Sequence, residues 1–400
     1  MNVIRTGPPD HHELVRRTNE SMVLSAIIEH APVSRSKLVE ITGLSKPTVL
    51  RIVSAHLENK LIRTAAGSTS GAGRPADYYE ANPKAGFAIG IDLGGTKVRA
   101  ALCDLIGRII EETTEPTDHH GGMAVVAQIE RIAKSLAKTA KVPWRLVQSV
   151  AIGSPGYVAD DGTLAAAANI AGLETIALRR VLERSLRVHV VVENDVNAAA
   201  FGEFASGSFG SIRNLAVISI GTGVGAGIIV DGQVMRGSRG AAGEIAYLPL
   251  GDDPTSTQAR LSGSLELAAS GSGMRRALRH ALSDSHEKTS LKETATPAQI
   301  FTAAASGDAL ARELIEQQAA LIARAVLSIA VVCDPDVFVL AGGIGANPTL
   351  LDPVRAAVAA IAPFPIRIER SAFADRSGLL GATALARQHG WHMLFPADEA

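Results

Sequence analysis

The chain has little of several things. Among 400 residues there are two cysteines, Cys103 and Cys333, and aromatic residues make up 4%. Two thiols cannot build a Cys-rich zinc site, and they do not form the disulfide framework of a small secreted domain. Net charge is nearly absent: 39 Lys and Arg stand against 40 Asp and Glu, a formal −1. That excludes a uniformly basic nucleic-acid coat and leaves room for a local basic patch. Residues 1–20 are polar and lack the apolar core of a signal peptide. The longest apolar run, around 325–333, falls far short of a bilayer span. A cytoplasmic protein with no membrane partner is expected. What the chain does have is core material. Hydrophobic residues make up 46%, so it reads as globular, not disordered. Its length implies two to four structural units at about 100–200 residues each.

Charge is unevenly spread. Residues 1–84 hold 11 Lys and Arg against 8 Asp and Glu, and the remainder holds 28 against 32. A basic piece joined to an acidic body suits a small nucleic-acid module; solvated charged faces are the alternative. The piece reads as three short helices. The first covers 19–30, with Met22, Val23, Ala26 and Ile27 at helical spacing before Pro32. Ser34 reads as the N-cap of the second, which has Leu38, Val39 and Ile41 on an apolar side and ends at Gly43. Ser45 reads as the cap of a third helix reaching about Asn59, with Pro47 tolerated in its first turn and Val49, Leu50, Ile52, Val53 and Leu57 as its buried face.

Two helices joined by a short turn containing Gly are a helix-turn-helix signature. Leu61 and Ile62 begin a strand, and Tyr78 and Tyr79 begin its antiparallel partner. The Gly- and Ser-rich stretch 66–76 between them, with Gly73-Arg74-Pro75, reads as a wing. An ordinary three-helix bundle with a loose linker is the alternative. The winged reading is favoured by where polar residues fall. Ser45, Lys46, Thr48 and Arg51 occupy the first turns of the third helix, where base edges are met. Arg74 is expected to reach phosphate or the minor groove.

Asn82-Pro83-Lys84 breaks the pattern, which divides the chain into a DNA-binding domain at 1–84 and a long α/β body at 85–400. A weak repeat appears in the body. An apolar strand runs into Gly94-Gly95-Thr96, and a second such strand runs into Gly221-Thr222-Gly223. Each is followed by another apolar strand, a turn and a third strand. Two copies suggest a duplicated fold with a cleft between the halves. A third turn, Gly342-Gly343-Ile344-Gly345, follows the apolar stretch 337–340. Gly-rich turns at strand ends let backbone N–H groups approach phosphate oxygens without Cβ interference. Asp92 directly precedes the first turn, where a carboxylate could orient phosphate-bound Mg²⁺.

Asp92-Leu93-Gly94-Gly95-Thr96-Lys97, Glu193-Asn194-Asp195, Gly221-Thr222-Gly223-Val224-Gly225 and Gly240-Ala241-Ala242-Gly243-Glu244 together resemble the ROK family of repressors, open reading frames and kinases. The resemblance spans nearly the whole chain. It includes the N-terminal winged helix, which the family's repressors have and its sugar kinases lack. It implies a two-lobed, actin-like ATPase fold of the sugar kinase/Hsp70 type, with lobes at roughly 85–200 plus the C-terminal helix and 201–375. It also implies phosphate motifs at Gly94, Gly95, Thr96 and Lys97 and at Gly221, Thr222 and Gly223, with an adenosine-side motif at Gly342 and Gly343.

In the family's kinases the Asp of Glu-Asn-Asp is the general base toward a sugar hydroxyl; that position here is Asp195. A strand-end Asp capping the helix that starts near Val196 is the alternative. Asn194 offers both donor and acceptor to a sugar, and Glu244 and Glu266 match two further sugar-binding carboxylates. Tyr247 stands where the family usually has a His that ligates zinc and touches sugar, and its phenol is expected to donate one hydrogen bond in its place. Thr257, Ala259 and Ser264 fall on three cysteine positions of the family's zinc loop. None is a thiolate, so zinc is expected to be absent and the loop 251–262 to be held otherwise or to be mobile. Cys103 and Cys333 are expected to be plain core residues.

These residues lead to one expectation and one rival. The expectation is a ROK-family regulator that binds operator DNA through its winged helix. It senses a sugar or sugar derivative in the kinase-like body, works as a homodimer or higher oligomer, and requires no cofactor. The rival is an ATP-dependent, glucokinase-like sugar kinase with an added DNA-binding domain. It would use ATP and Mg²⁺, with Asp195 as base.

Overall fold

The computed structural model describes residues 11–65, 77–158, 164–165, 170–284 and 289–394. The N-terminal piece holds three helices, His11–His30, Arg35–Thr42 and Lys46–Glu58. Caps set the last two. Ser34 accepts from Lys37 N, Gly43 closes the second helix at φ 68°, and Ser45 accepts from Thr48 N. Each serine N-cap is worth about 1 kcal/mol. A small sheet in the order Val33–Ser34, Tyr78–Ala81, Ile62–Thr64 completes the unit, with antiparallel pairing throughout. The proposed wing, 66–76, lies outside the described residues.

Three expectations for this piece need correction. The first helix begins at His11, not at 19. Its added turns are polar, so apolar spacing does not reveal them, although Glu, Leu and Arg there favour helix. Leu50 is 47% exposed, not buried, because it shares the outer side of the third helix with Lys46 and Arg51, while Val49, Ile52, Val53 and His56 face inward. Ile41 at the end of the second helix is also exposed.

The body contains two five-stranded sheets of the same plan. The first runs His189–Asn194, Val147–Ser154, Phe87–Leu93, Lys97–Asp104, Ile109–Pro116. The second runs Ile368–Arg370, Val337–Ala341, Leu215–Ile220, Val224–Val230, Gln233–Val234. Each joins an antiparallel three-strand meander to two parallel strands. The repeat read from sequence is therefore a repeat of topology.

The helix Asp195–Ala205 lies between the sheets. On one side Gly227 admits it: a Cβ there would sit 2.5 Å from Val196 O. On the other side Gly381 of the C-terminal helix Ser377–Leu394 meets it, with a Cβ position 1.7 Å from Ala198 O. Both contacts exclude any larger residue. The C-terminal helix packs on the first sheet, and Trp391 Nε1 donates to Leu105 O at 2.8 Å.

The long helix Ala309–Cys333 is apolar enough by length and composition to cross a bilayer, with a mean hydropathy of 1.5 in its best window. The apolar run read at 325–333 understated it, because Arg312, Glu313, Glu316 and Arg324 interrupt the sequence. Those residues lie on one outer face. Leu314, Ile315, Ile322, Val326 and Ile329 are buried in the core of the second sheet. That is the spacing of a core helix. Cys103 is buried, its thiol pushed up to about 12 chiefly by desolvation. Cys333 is half-buried against the same core as the long helix.

Candidate functional site

A cleft of about 530 Å³ opens at the strand ends between the two sheets. Asn194, Asp195, Glu244, Tyr247 and Glu266 all line it, as do Gly221, Thr222 and Gly223. The first lobe contributes Asn194 and Asp195, at the junction of the strand His189–Asn194 and the helix that follows. The second lobe contributes the rest. Residues up to 72 positions apart thus meet on one surface, as the motif reading expected.

Their side chains differ in what they have left to offer. Asn194, not Asp195, is the principal helix cap. Its Oδ1 accepts from Val196 N and Asn197 N at 2.9 and 3.0 Å, and its Nδ2 donates to Gly156 O at 3.0 Å. Among the described residues Asp195 accepts only from Val196 N, at 2.9 Å. Its carboxyl is pushed up to about 7, first by burial, then by the nearby charges of Asp92 and Glu244. Glu244 is raised by burial and by Glu266. Glu266 is raised by burial, partly offset by the N–H of Val224, which it accepts at 3.1 Å. That bond also fixes the strand emerging from Gly221-Thr222-Gly223. Among the described residues none of these three carboxyls is paired with a cation.

Tyr247 departs from expectation. Its hydroxyl donates to Leu261 O at 3.2 Å, so its one donor is spent on the cleft wall and only its oxygen remains as an acceptor. The loop beneath it is ordered by such bonds. Ser264 Oγ donates to Leu250 O at 3.0 Å and also to Asp252 O. Ser256 caps the short helix Thr257–Ser262, and Ala259 is buried. The four residues at the family's zinc positions, Tyr247, Thr257, Ala259 and Ser264, offer neither thiolate nor imidazole, so this donor set does not fit zinc.

The first glycine turn is arranged differently. Gly94 N donates to Lys97 O at 3.0 Å, and Thr117 ties the turn from outside through Gly94 O and Thr96 O. Asp92 is raised by burial, with Arg99 and Lys97 opposing. Arg99 Nη1 stands 3.9 Å from Asp92 and also binds Asp375. Lys97 Nζ lies 3.7 Å from the same Asp375 carboxylate. Gly94, Gly95, Thr96 and Lys97 do not line the 530 Å³ cleft. Gly342 and Gly343 begin the short helix Gly342–Gly345 and also lie off it, with Gly343 packed against Gly221.

Sequence reading passed over Arg99 and Asp375. Arg99 was within reach, because the tight turn puts it directly opposite Asp92 in the hairpin. Asp375 comes from a distant segment, and no local pattern marks it.

In the N-terminal piece Lys46 and Arg51 are exposed. Arg51 Nη1 sits 3.8 Å from Glu20. Ser45 and Thr48 spend their hydroxyls on each other, 2.8 Å apart, and on the helix end. Leu50, missed as a surface residue, follows Lys46 by one helical turn. Arg74 lies outside the described residues.

A sequence profile described as the ROK family matches residues 88–389. The xylose repressor of Caldicellulosiruptor bescii is 26% identical over 94% of this chain and 96% of its own length. The N-acetylmannosamine kinase of Salmonella arizonae is 31% identical, over 75% of this chain and 98% of the kinase. Among solved structures, a ROK family transcriptional regulator described as a homolog of the E. coli MLC protein superposes with TM-score 0.81. The match covers 96% of this chain and 98% of that one at 24% identity, a likeness of fold.

Proposed function

The chain belongs to the ROK family, and on that premise we propose that it is a sugar-responsive transcriptional regulator. One observation carries the reading. The family profile begins at residue 88, and the chain ahead of it folds into a capped helix-turn-helix whose third helix turns Lys46, Leu50 and Arg51 outward. The kinase relative leaves a quarter of this chain unmatched, whereas the repressor runs along nearly all of it.

In this reading residues 1–84 bind operator DNA and 85–400 sense the effector. Arg51 and Lys46 meet base edges, Leu50 offers an apolar contact to a thymine methyl, and Arg74 reaches the backbone. Ser45 and Thr48 serve the helix end and present it to phosphate. Arg51 exchanges Glu20 for DNA.

A sugar in the cleft touches Asn194 and Asp195 on one lobe and Glu244 and Glu266 on the other. Each carboxylate accepts from neighbouring hydroxyls. A ligand that bridges both walls favours the closed arrangement, and it changes DNA affinity only by its differential affinity for the two arrangements. Symmetric operators call for a homodimer or higher oligomer. The protein works in the cytoplasm without zinc.

A second reading keeps a specific observation of its own. A carboxyl titrating near 7, as Asp195 does, suits a general base, and the run from Asp92 to Lys97 is complete. If ATP and Mg²⁺ bind, the glycine-turn backbones would hold phosphates and Asp92 would face the metal. A mobility shift on the DNA upstream of the protein's own coding sequence tests the main reading. Arg51→Ala is expected to cost about 1–3 kcal/mol and to relax specificity at one base. Unchanged affinity would remove the third helix from the interface.

A further inference from the structure

Glu193 directly precedes Asn194 and Asp195 but does not line the cleft, and its side chain is 3% exposed. Four donors converge on it. Oε1 accepts from Asn194 N at 3.0 Å and from Asn197 Nδ2 at 3.1 Å. Oε2 accepts from Arg236 Nε at 2.8 Å and Nη2 at 2.6 Å. This fills the acceptor capacity of the carboxylate. Two of the donors belong to its own strand and helix. The other two arrive from the opposite lobe.

Arg236 follows the strand Gln233–Val234 of the second sheet and opens the loop 236–243. The loop is a closed unit. Arg236 O accepts from Ala242 N at 3.0 Å, and Gly243 O accepts from Ala226 N at 2.8 Å. Its last residues, Gly240, Ala242 and Gly243, line the cleft and deliver Glu244 into it. One ion pair therefore joins the strand that ends in Asn194-Asp195 to the loop that ends in Glu244.

The energetics favour a role in placement. Glu193 is buried but the Arg236 side chain is half-exposed, so desolvation of the carboxylate and solvent screening of the guanidinium leave the pair little net stability. Charge-assisted bonds are nevertheless short and directional, so they fix where their partners sit. Placement matters here because Asp195 and Glu244 come from different lobes and both line the cleft.

We propose that Arg236 is a positioning residue of the cleft: by clasping Glu193 it holds the Glu244 loop of the second lobe in register with Asn194 and Asp195 of the first. The consequence for sugar rests on the reading of the cleft as a sugar site; the spacing of its acidic walls does not.

Two variants test this. Arg236→Lys keeps the charge but cannot place two donors on Oε2. Glu193→Gln keeps the shape but removes the charge. Both are compared with the parent at a temperature well below each melting point, with folding checked by circular dichroism. The first readout is the titration midpoint of Asp195, followed by carboxyl ¹³C NMR and assigned through Asp195→Asn. The second is calorimetric affinity for a panel of free hexoses and pentoses.

With the clasp loosened, Glu244 withdraws. The Asp195 midpoint should fall measurably below that of the parent, while burial and Asp92, the larger causes of its rise, keep it above the ordinary carboxylate range, and sugar affinity should weaken on the order of tenfold. If both folded variants keep the parental midpoint, even with lowered melting temperatures, the pair serves stability alone and the proposal fails. If the midpoint moves while the parent binds no sugar in the panel, the clasp stands and the sugar reading of the cleft falls.

Discussion

The cleft and the first glycine turn lie side by side and treat charge in opposite ways. In the cleft Asp195, Glu244 and Glu266 are half-buried with no cation beside them among the described residues, and burial raises all three above the ordinary carboxylate range. At the turn every charge has a partner: Arg99 faces Asp92 and Asp375, and Lys97 faces Asp375. Burying unpaired carboxyls costs stability, and a fold tolerates that cost where function requires the groups. A site whose cations are already matched has less to offer an incoming anion. The contrast fits the proposed role of the cleft in meeting hydroxyls, beside a turn that holds its charges to itself.

The strongest test of that contrast is to remove one of the proposed hydroxyl readers. Glu244→Ala should lower sugar affinity on the order of a hundredfold by calorimetry, because a site built around hydroxyls depends on each buried partner. An effect below threefold would place the ligand elsewhere.

Next comes pH. Asp195 titrates at about 7 when folded against 3.8 ordinarily. The folded state then holds the proton more tightly than the unfolded chain does. The stability linked to that proton is full below 3.8 and is lost as pH rises to about 7. Asp195→Asn should flatten this fall and gain about 2 kcal/mol at pH 8 in denaturant titrations. The discount from full linkage reflects a carboxyl that opens onto solvent.

The turn can be unlocked in its own right. Asp375→Ala frees Lys97 and Arg99, and affinity for a fluorescent ATP analogue with Mg²⁺ should rise about tenfold, the worth of one charge-assisted contact. No rise would mean that the pairing at the turn does not restrain nucleotide.

The smallest effect belongs to Tyr247. Phe in its place removes the bond to Leu261 O, which should cost about 1 kcal/mol or less of stability while leaving sugar affinity within twofold. A larger loss of affinity would return the phenol to the ligand set.

Much of this was legible in the sequence because it is local or periodic. Ser34, Gly43 and Ser45 announce their caps, and continuous apolar runs ending in Gly turns give the strand Phe87–Leu93 and the duplicated sheets. The five cleft residues came from motif resemblance, and their meeting follows from the symmetry of the two halves. What escaped is what depends on distant partners. Asp375 and Arg236 carry no pattern of their own, and Leu50 looks like core until the helix is oriented. The polar start of the first helix has no apolar stripe to betray it.

Whether sugar in the cleft governs DNA binding is measured by fluorescence anisotropy on an operator fragment, with the sugar panel added to the parent and to Asp195→Ala. One or more sugars should shift the parent's operator affinity, whereas Asp195→Ala should bind the operator equally well without sugar and show no response to it. A full sugar response in Asp195→Ala would contradict control of DNA binding from the cleft.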